Sequence, residues 1–113
     1  AGDEAEWARR QRPVATWVAD SLARSDDTGD YRAAAVDRER LLQLAERPIA
    51  DPGARAAAAV ALKRLRIEPH ERDRLRIAAD TTAHPRLRFA LEGAGEDETD
   101  EAELVRRLTA VAD

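Results

Sequence analysis

The sequence predicts an all-α fold: about six short antiparallel helices, in a helical-repeat-like array or a compact bundle around a buried alanine-rich helix. Three observations carry this. The 113 residues include 25 alanines and 11 leucines, both strong helix formers. β-branched and aromatic residues, which strands favour, are sparse, and the aromatics are Trp7, Trp17, Tyr31 and Phe89. Prolines at 13, 52, 69 and 85 each stand where a helix can start, ahead of apolar residues at helical spacing.

Residues 1–12 are polar and read as a flexible N-terminal segment, leaving 13–113 as a single all-α domain. After Pro13, Val14, Trp17, Val18 and Leu22 fall on one helical face. The segment 25–30 reads as a turn, and Asp30 as the cap of a second helix. That helix carries Tyr31, Ala34, Leu41, Leu42 and Ala45, is interrupted by Arg38, and is stopped by Pro48. Asp51 and Pro52 open a third helix reaching about Arg66. A fourth begins at Pro69 and presents Leu75, Ala78, Ala79 and Thr82. Pro85 opens a short fifth, with Leu87, Ala90 and Leu91, and Gly93 reads as its C-terminal stop. Asp100 and Glu103 have capping-box spacing before a last helix with Leu104, Val105, Leu108 and Val111 on one face. Connections this short make sequence neighbours spatial neighbours.

The third helix differs in kind from the rest. Ala54, Ala58, Ala61 and Leu65 form one stripe, Ala59 and Leu62 widen it, and Ala56, Ala57 and Val60 fill the back. Only Arg55, Lys63 and Arg64 are polar, and a helix apolar all round is a buried one. Small side chains let neighbours approach to the short end of the usual ~8–10 Å spacing. This helix is therefore the expected hub.

The run Asp51, Pro52, Arg55, Ala58, Ala59, Ala61, Leu62, Leu65 resembles the second helix of a HEAT-type repeat, the preceding helix with Leu41, Leu42 and Leu44 being the first. Thirty-three residues on, Pro85, Arg88 and Ala90 align with Pro52, Arg55 and Ala57. His84 stands where the family has Asp, Ala54 where it has a larger aliphatic, and the second copy is truncated. The resemblance covers residues 30–93 and implies a non-enzymatic protein-binding array. An ordinary bundle with a capped alanine helix stands beside it.

Cysteine is absent, which excludes disulfides and thiolate metal sites. The 18 arginines against one lysine, with no asparagine, point to a GC-rich bacterial genome. No stretch of about 18 apolar residues spans a bilayer and no signal peptide is evident, so a cytoplasmic location is expected. The Ala-Gly start predicts a piece of a longer protein.

The net charge of −4 is uneven. Residues 63–91 hold eight basic and four acidic side chains, whereas 92–113 hold two and eight. The acidic segment 96–103 is expected to mask the arginines. His70 and Glu71 lack the second histidine of a zinc-protease motif, Arg74 standing in its place. Asp26, Asp27 and Asp30 lack calcium-loop spacing. The glycines at 93 and 95 follow no strand, so they form no phosphate cradle. The sequence thus predicts neither an enzyme nor a cofactor or metal site. It predicts a protein partner met through Arg72, Arg76, Arg86 and Arg88. Two alternatives stay open. One is a cytosolic structural or regulatory domain of a larger protein, membrane-anchored if a span precedes residue 1 and the Trp–Arg-rich 6–17 lies against the bilayer. The other is nucleic-acid binding through the arginine-rich 64–88 region.

Overall fold

The computed structural model describes residues 7–10, 12–26, 31–96 and 98–112. Six helices are described: α1 (Val14–Asp26), α2 (Tyr31–Glu46), α3 (Pro52–Arg64), α4 (Pro69–Asp80), α5 (Pro85–Ala94) and α6 (Glu101–Ala112). No strand occurs among the described residues, and none of their helices is long and apolar enough to cross a membrane. The all-α expectation holds helix by helix. The turn expected at 25–30 is only partly visible: α1 runs through Asp26, and 27–30, with the cap Asp30, lie outside the described residues.

The local chemistry of α3 fixes both its ends. An Asp51 side-chain oxygen accepts a 2.9 Å hydrogen bond from the Ala54 amide, and Pro52 occupies the first turn where no amide bond is lost. At the other end the helix stops sooner than expected. The amides of Leu65 and Arg66 fold back to Ala61, Leu62 and Lys63, and Arg66 enters the left-handed region at φ 66°. Arg38 holds this end. Its guanidinium donates to the Leu65 and Arg66 carbonyls at 2.8 and 2.9 Å and pairs with the buried Glu71. Glu71 also accepts from the Glu68 amide at 2.9 Å, so it starts α4 as well.

Every residue from Gly53 to Leu62 is buried. Helix α3 packs against α1, α2, α5 and α6, while α4 sits outside it on α2 and α5. The hub is therefore enclosed on four sides. Arg55, one of its three polar residues, is only 5% exposed. It lies inward because it closes a neighbour: its Nε donates to the Ala45 carbonyl in the last turn of α2 at 3.0 Å, and a terminal nitrogen donates to the Thr82 hydroxyl at 3.2 Å. Burial lowers its pKa from the ordinary arginine value by desolvation.

Gly93 is not the stop of α5. The helix continues to Ala94 with Gly95 as its cap, and Gly93 lies on the interface with α6. A Cβ there would stand 2.5 Å from a terminal nitrogen of Arg107, so the missing methyl is what lets Arg107 cross α5 as it does.

Trp7, Ala8, Arg9 and Arg12, from a stretch polar in composition, pack on the domain. Trp7 and Ala8 are buried, and the Trp17 indole donates to the Trp7 carbonyl at 2.9 Å. Arg9 donates to Arg12 O at 2.8 Å and to Ala112 O at 3.1 Å, and Arg12 pairs with Asp20 at 2.9 Å.

Because the helices alternate in direction, two ends are defined. The basal end gathers the starts of α1, α3 and α5 with the finishes of α2, α4 and α6. Bonds from Arg55 to Ala45 O, Arg88 to Ala79 O, Arg86 to Ala110 O and Arg9 to Ala112 O tie it together. The apical end carries the 65–68 connection and residues 95, 96 and 98–100.

Candidate interaction surface

Among the described helices, the outer side of the α4–α5 hairpin is covered by no other helix. Leu75, Ala78 and Ala79 of α4, with Leu87, Ala90 and Leu91 of α5, bury the inner face as their helical spacing dictates. The outer side chains of α4 are then Asp73, Arg76, Ile77 and Asp80. Helix α4 starts on Pro69 and the Glu68–Glu71 box, and α5 starts on His84, whose Nδ1 accepts from the Leu87 amide at 3.1 Å. The hairpin is thus capped at both helix starts.

Of the four predicted arginines, the structure brings two together. Arg72 and Arg76, one turn apart, line a shallow depression of about 300 Å³ with Asp80, Leu91, Glu92 and Glu96. Arg76 is exposed and makes no hydrogen bond or ion pair among the described residues. Arg86 and Arg88 stand apart from them, on a second depression of about 480 Å³ with Pro85, Phe89 and Glu92. Their guanidinium groups serve the fold: Arg88 donates to the Ala79 and Asp80 carbonyls at 3.1 and 3.2 Å, and Arg86 to the Ala110 carbonyl at 3.2 Å. Glu92 borders both depressions.

Two apolar residues of this surface were missed from sequence. Ile77 is 63% exposed and Phe89 is 49% exposed. Both fall off the buried stripes of their helices, and a large hydrophobic off the stripe is the signal that would have found them. Phe89 is held in place by Arg107, whose guanidinium lies 3.6 Å from the ring centroid and donates to the Phe89 carbonyl at 3.0 Å.

Of the described residues of the acidic segment 96–103, Glu96 borders the Arg72–Arg76 depression, and Asp97 lies outside the described residues. The segment also meets the end of α3, where Lys63 donates to the Glu96 carbonyl and Arg64 pairs with Glu101. Asp100 caps α6 by accepting from the Glu103 amide at 2.8 Å. Glu103 then folds onto Arg106 and Arg107 of its own helix, which lower its pKa, Arg106 having the larger effect. Among the described residues of this segment, Glu96 alone lines the Arg72–Arg76 depression. Arg74 and His70, also within 64–88, face other groups. Arg74 reaches Glu46 at 2.9 Å and Glu39 at 3.2 Å on α2, and these carboxylates raise its pKa. His70 is exposed, its Nδ1 3.7 Å from a Glu68 oxygen.

Chemically the hairpin offers one uncommitted guanidinium, a half-exposed aromatic ring and an exposed isoleucine around a carboxylate. Arginine and aromatic side chains are enriched at the energetic centres of protein interfaces. Comparison with protein-family models, with curated proteins and with solved structures finds no match to this chain.

Proposed function

We propose that this chain is a non-enzymatic protein-binding module and that the outer side of the α4–α5 hairpin is its contact surface. The observation that carries the reading is the exposure of Ile77 and Phe89 beside the uncommitted Arg76. An apolar anchor and a free guanidinium fit a partner segment with an apolar residue near a carboxylate.

The HEAT-like reading of residues 30–93 is part of this proposal. Its support is a shared clasp. In α2–α3, Asp51 caps α3 and Arg55 donates to a carbonyl in the last turn of α2. In α4–α5, His84 caps α5 and Arg88 donates to carbonyls in the last turn of α4. The capping and clasping residues are 33 positions apart in both cases.

Selection of peptides from a randomised displayed library tests the function. The expected ligands pair an acidic residue with an apolar one, and Arg76→Glu and Phe89→Ser each weaken their binding about tenfold or more. Ligands whose amide-exchange footprint falls away from 69–94, or whose affinity ignores both substitutions, would overturn the assignment.

A further inference from the structure

Phe89 is gripped on one face of its ring. The Arg107 guanidinium carbon lies 3.6 Å from the ring centroid. At that distance it stands above the ring plane, because an approach to the ring edge would hold it at about 5 Å or more. The same guanidinium donates to the Phe89 carbonyl at 3.0 Å, and the Arg107 Nε donates to Glu103 at 3.0 Å. Arg107 thus bridges α6 to α5 across the ring. Its path depends on Gly93, one turn after Phe89, where a Cβ would meet its terminal nitrogen at 2.5 Å.

The other face of the ring is the open one. Phe89 is 49% exposed, whereas the Arg107 side chain is 13% exposed. Phe89 borders the depression of about 480 Å³, and Arg107 is not among the residues lining it. The depression is wide and shallow, walled by Ala83, Pro85 and the ring, so it suits a side chain laid flat more than one inserted end-on.

The cation changes what the ring accepts. A bare phenyl face is negative and attracts cations. Here one face is already engaged, and a second cation on the open face would stand about 7 Å from the first, within a Debye length. Glu103 does not cancel that field, because its one carboxylate is shared between Arg106 and Arg107. An aromatic side chain stacked offset on the open face meets the opposite case, since its own negative face turns toward the cation.

We propose that the apolar residue of the partner is aromatic and stacks on the open face of Phe89, with Arg107 as the residue that sets this preference and rejects lysine and arginine there. The inference rests on the hairpin reading above and specifies its ligand. Electrostatic complementarity selects the occupant. Glu92, on the rim of the depression, is placed to pair with a ligand cation beside the ring, so the rejection applies to the ring face.

Selection of the displayed peptide library on the parent, on Arg107→Met and on Gly93→Ala tests the proposal. Gly93→Ala displaces the end of the Arg107 side chain, and alanine keeps α5 helical, so this variant frees the ring with the guanidinium still present. The ligand residue whose contribution vanishes in Phe89→Ser is expected to be Trp, Tyr or Phe. Forms of that ligand with Leu and with Arg at this residue are then compared. The affinity ratio of the Leu form to the Arg form is expected to fall about two- to fivefold in both variants, the worth of one exposed cation–π contact. A ratio unchanged in either variant overturns the role of Arg107. Aliphatic residues at that ligand position as often as aromatic ones overturn the stacking. Both results leave the hairpin reading in place. Ligands whose footprint falls away from 69–94 overturn that reading, and this inference with it.

Discussion

Arg55 shows where residue-level reading stops. An arginine flanked by alanines looks like the wet edge of a helix, because arginine is almost never fully buried unless paired. Its burial follows from two groups distant in sequence, the Ala45 carbonyl and the Thr82 hydroxyl. Arg88 makes the equivalent bond from an exposed position. Arg55→Met should therefore lower stability by about 1–3 kcal/mol, since a buried carbonyl loses its donor. Arg88→Met should stay within about 0.5 kcal/mol of the parent. Urea unfolding midpoints of the two variants make the comparison. Arg66 invites the opposite change. It holds a left-handed conformation that glycine adopts without strain. Arg66→Gly should add up to about 1 kcal/mol, because the carbonyl that Arg38 bonds is retained. A melting temperature at or below that of the parent would contradict this.

At the scale of elements most of the fold was legible. Prolines, caps and spacing placed the starts of α3, α4 and α5, because each depends on residues within one turn. The two misplaced finishes have tertiary causes. Helix α3 ends early where Arg38 gathers its last carbonyls, and α5 outruns Gly93 because that glycine serves a contact with α6. Burial of α3 was legible because no solvent-facing stripe exists along its length. Ala58→Glu should accordingly cost about 3–5 kcal/mol, through overpacking and an unpaired buried charge. A thermal midpoint equal to the parent's would refute the enclosure of α3. Helix α6 carries a pH dependence of known sign. Arg106 and Arg107 hold the Glu103 pKa below its ordinary value, so its contribution is present at neutral pH. It is lost as acidification passes below about pH 4.3. Melting curves of the parent and Glu103→Gln should be separated near neutrality and converge in acid.

At the scale of the whole molecule the arrangement is a closed globule, with a radius of gyration of 12.4 Å and extents of 35 × 28 × 28 Å. Helix α6 lies across α1, α3 and α5, leaving α4 as the outer flank. The candidate surface was half legible. Arg72 and Arg76 share a helix and a turn, which spacing alone reveals. Their separation from Arg86 and Arg88 depends on how α4 and α5 cross. The uneven charge was visible as sequence blocks, but the blocks are not the physical units. The alternation of helix direction places Arg9, Arg47 and Arg86, from three distant stretches, at the same end.

Enclosure of α3 by four other helices is what makes the molecule rigid and fixes both the hairpin and the two ends. Native-state hydrogen exchange measures it most directly, since amides that open only on global unfolding exchange last. The amides of 56–64 should be the slowest in the chain, exchanging at the rate set by global stability, with those of α4 faster. Exchange of 56–64 as fast as that of α4 would contradict a buried central helix.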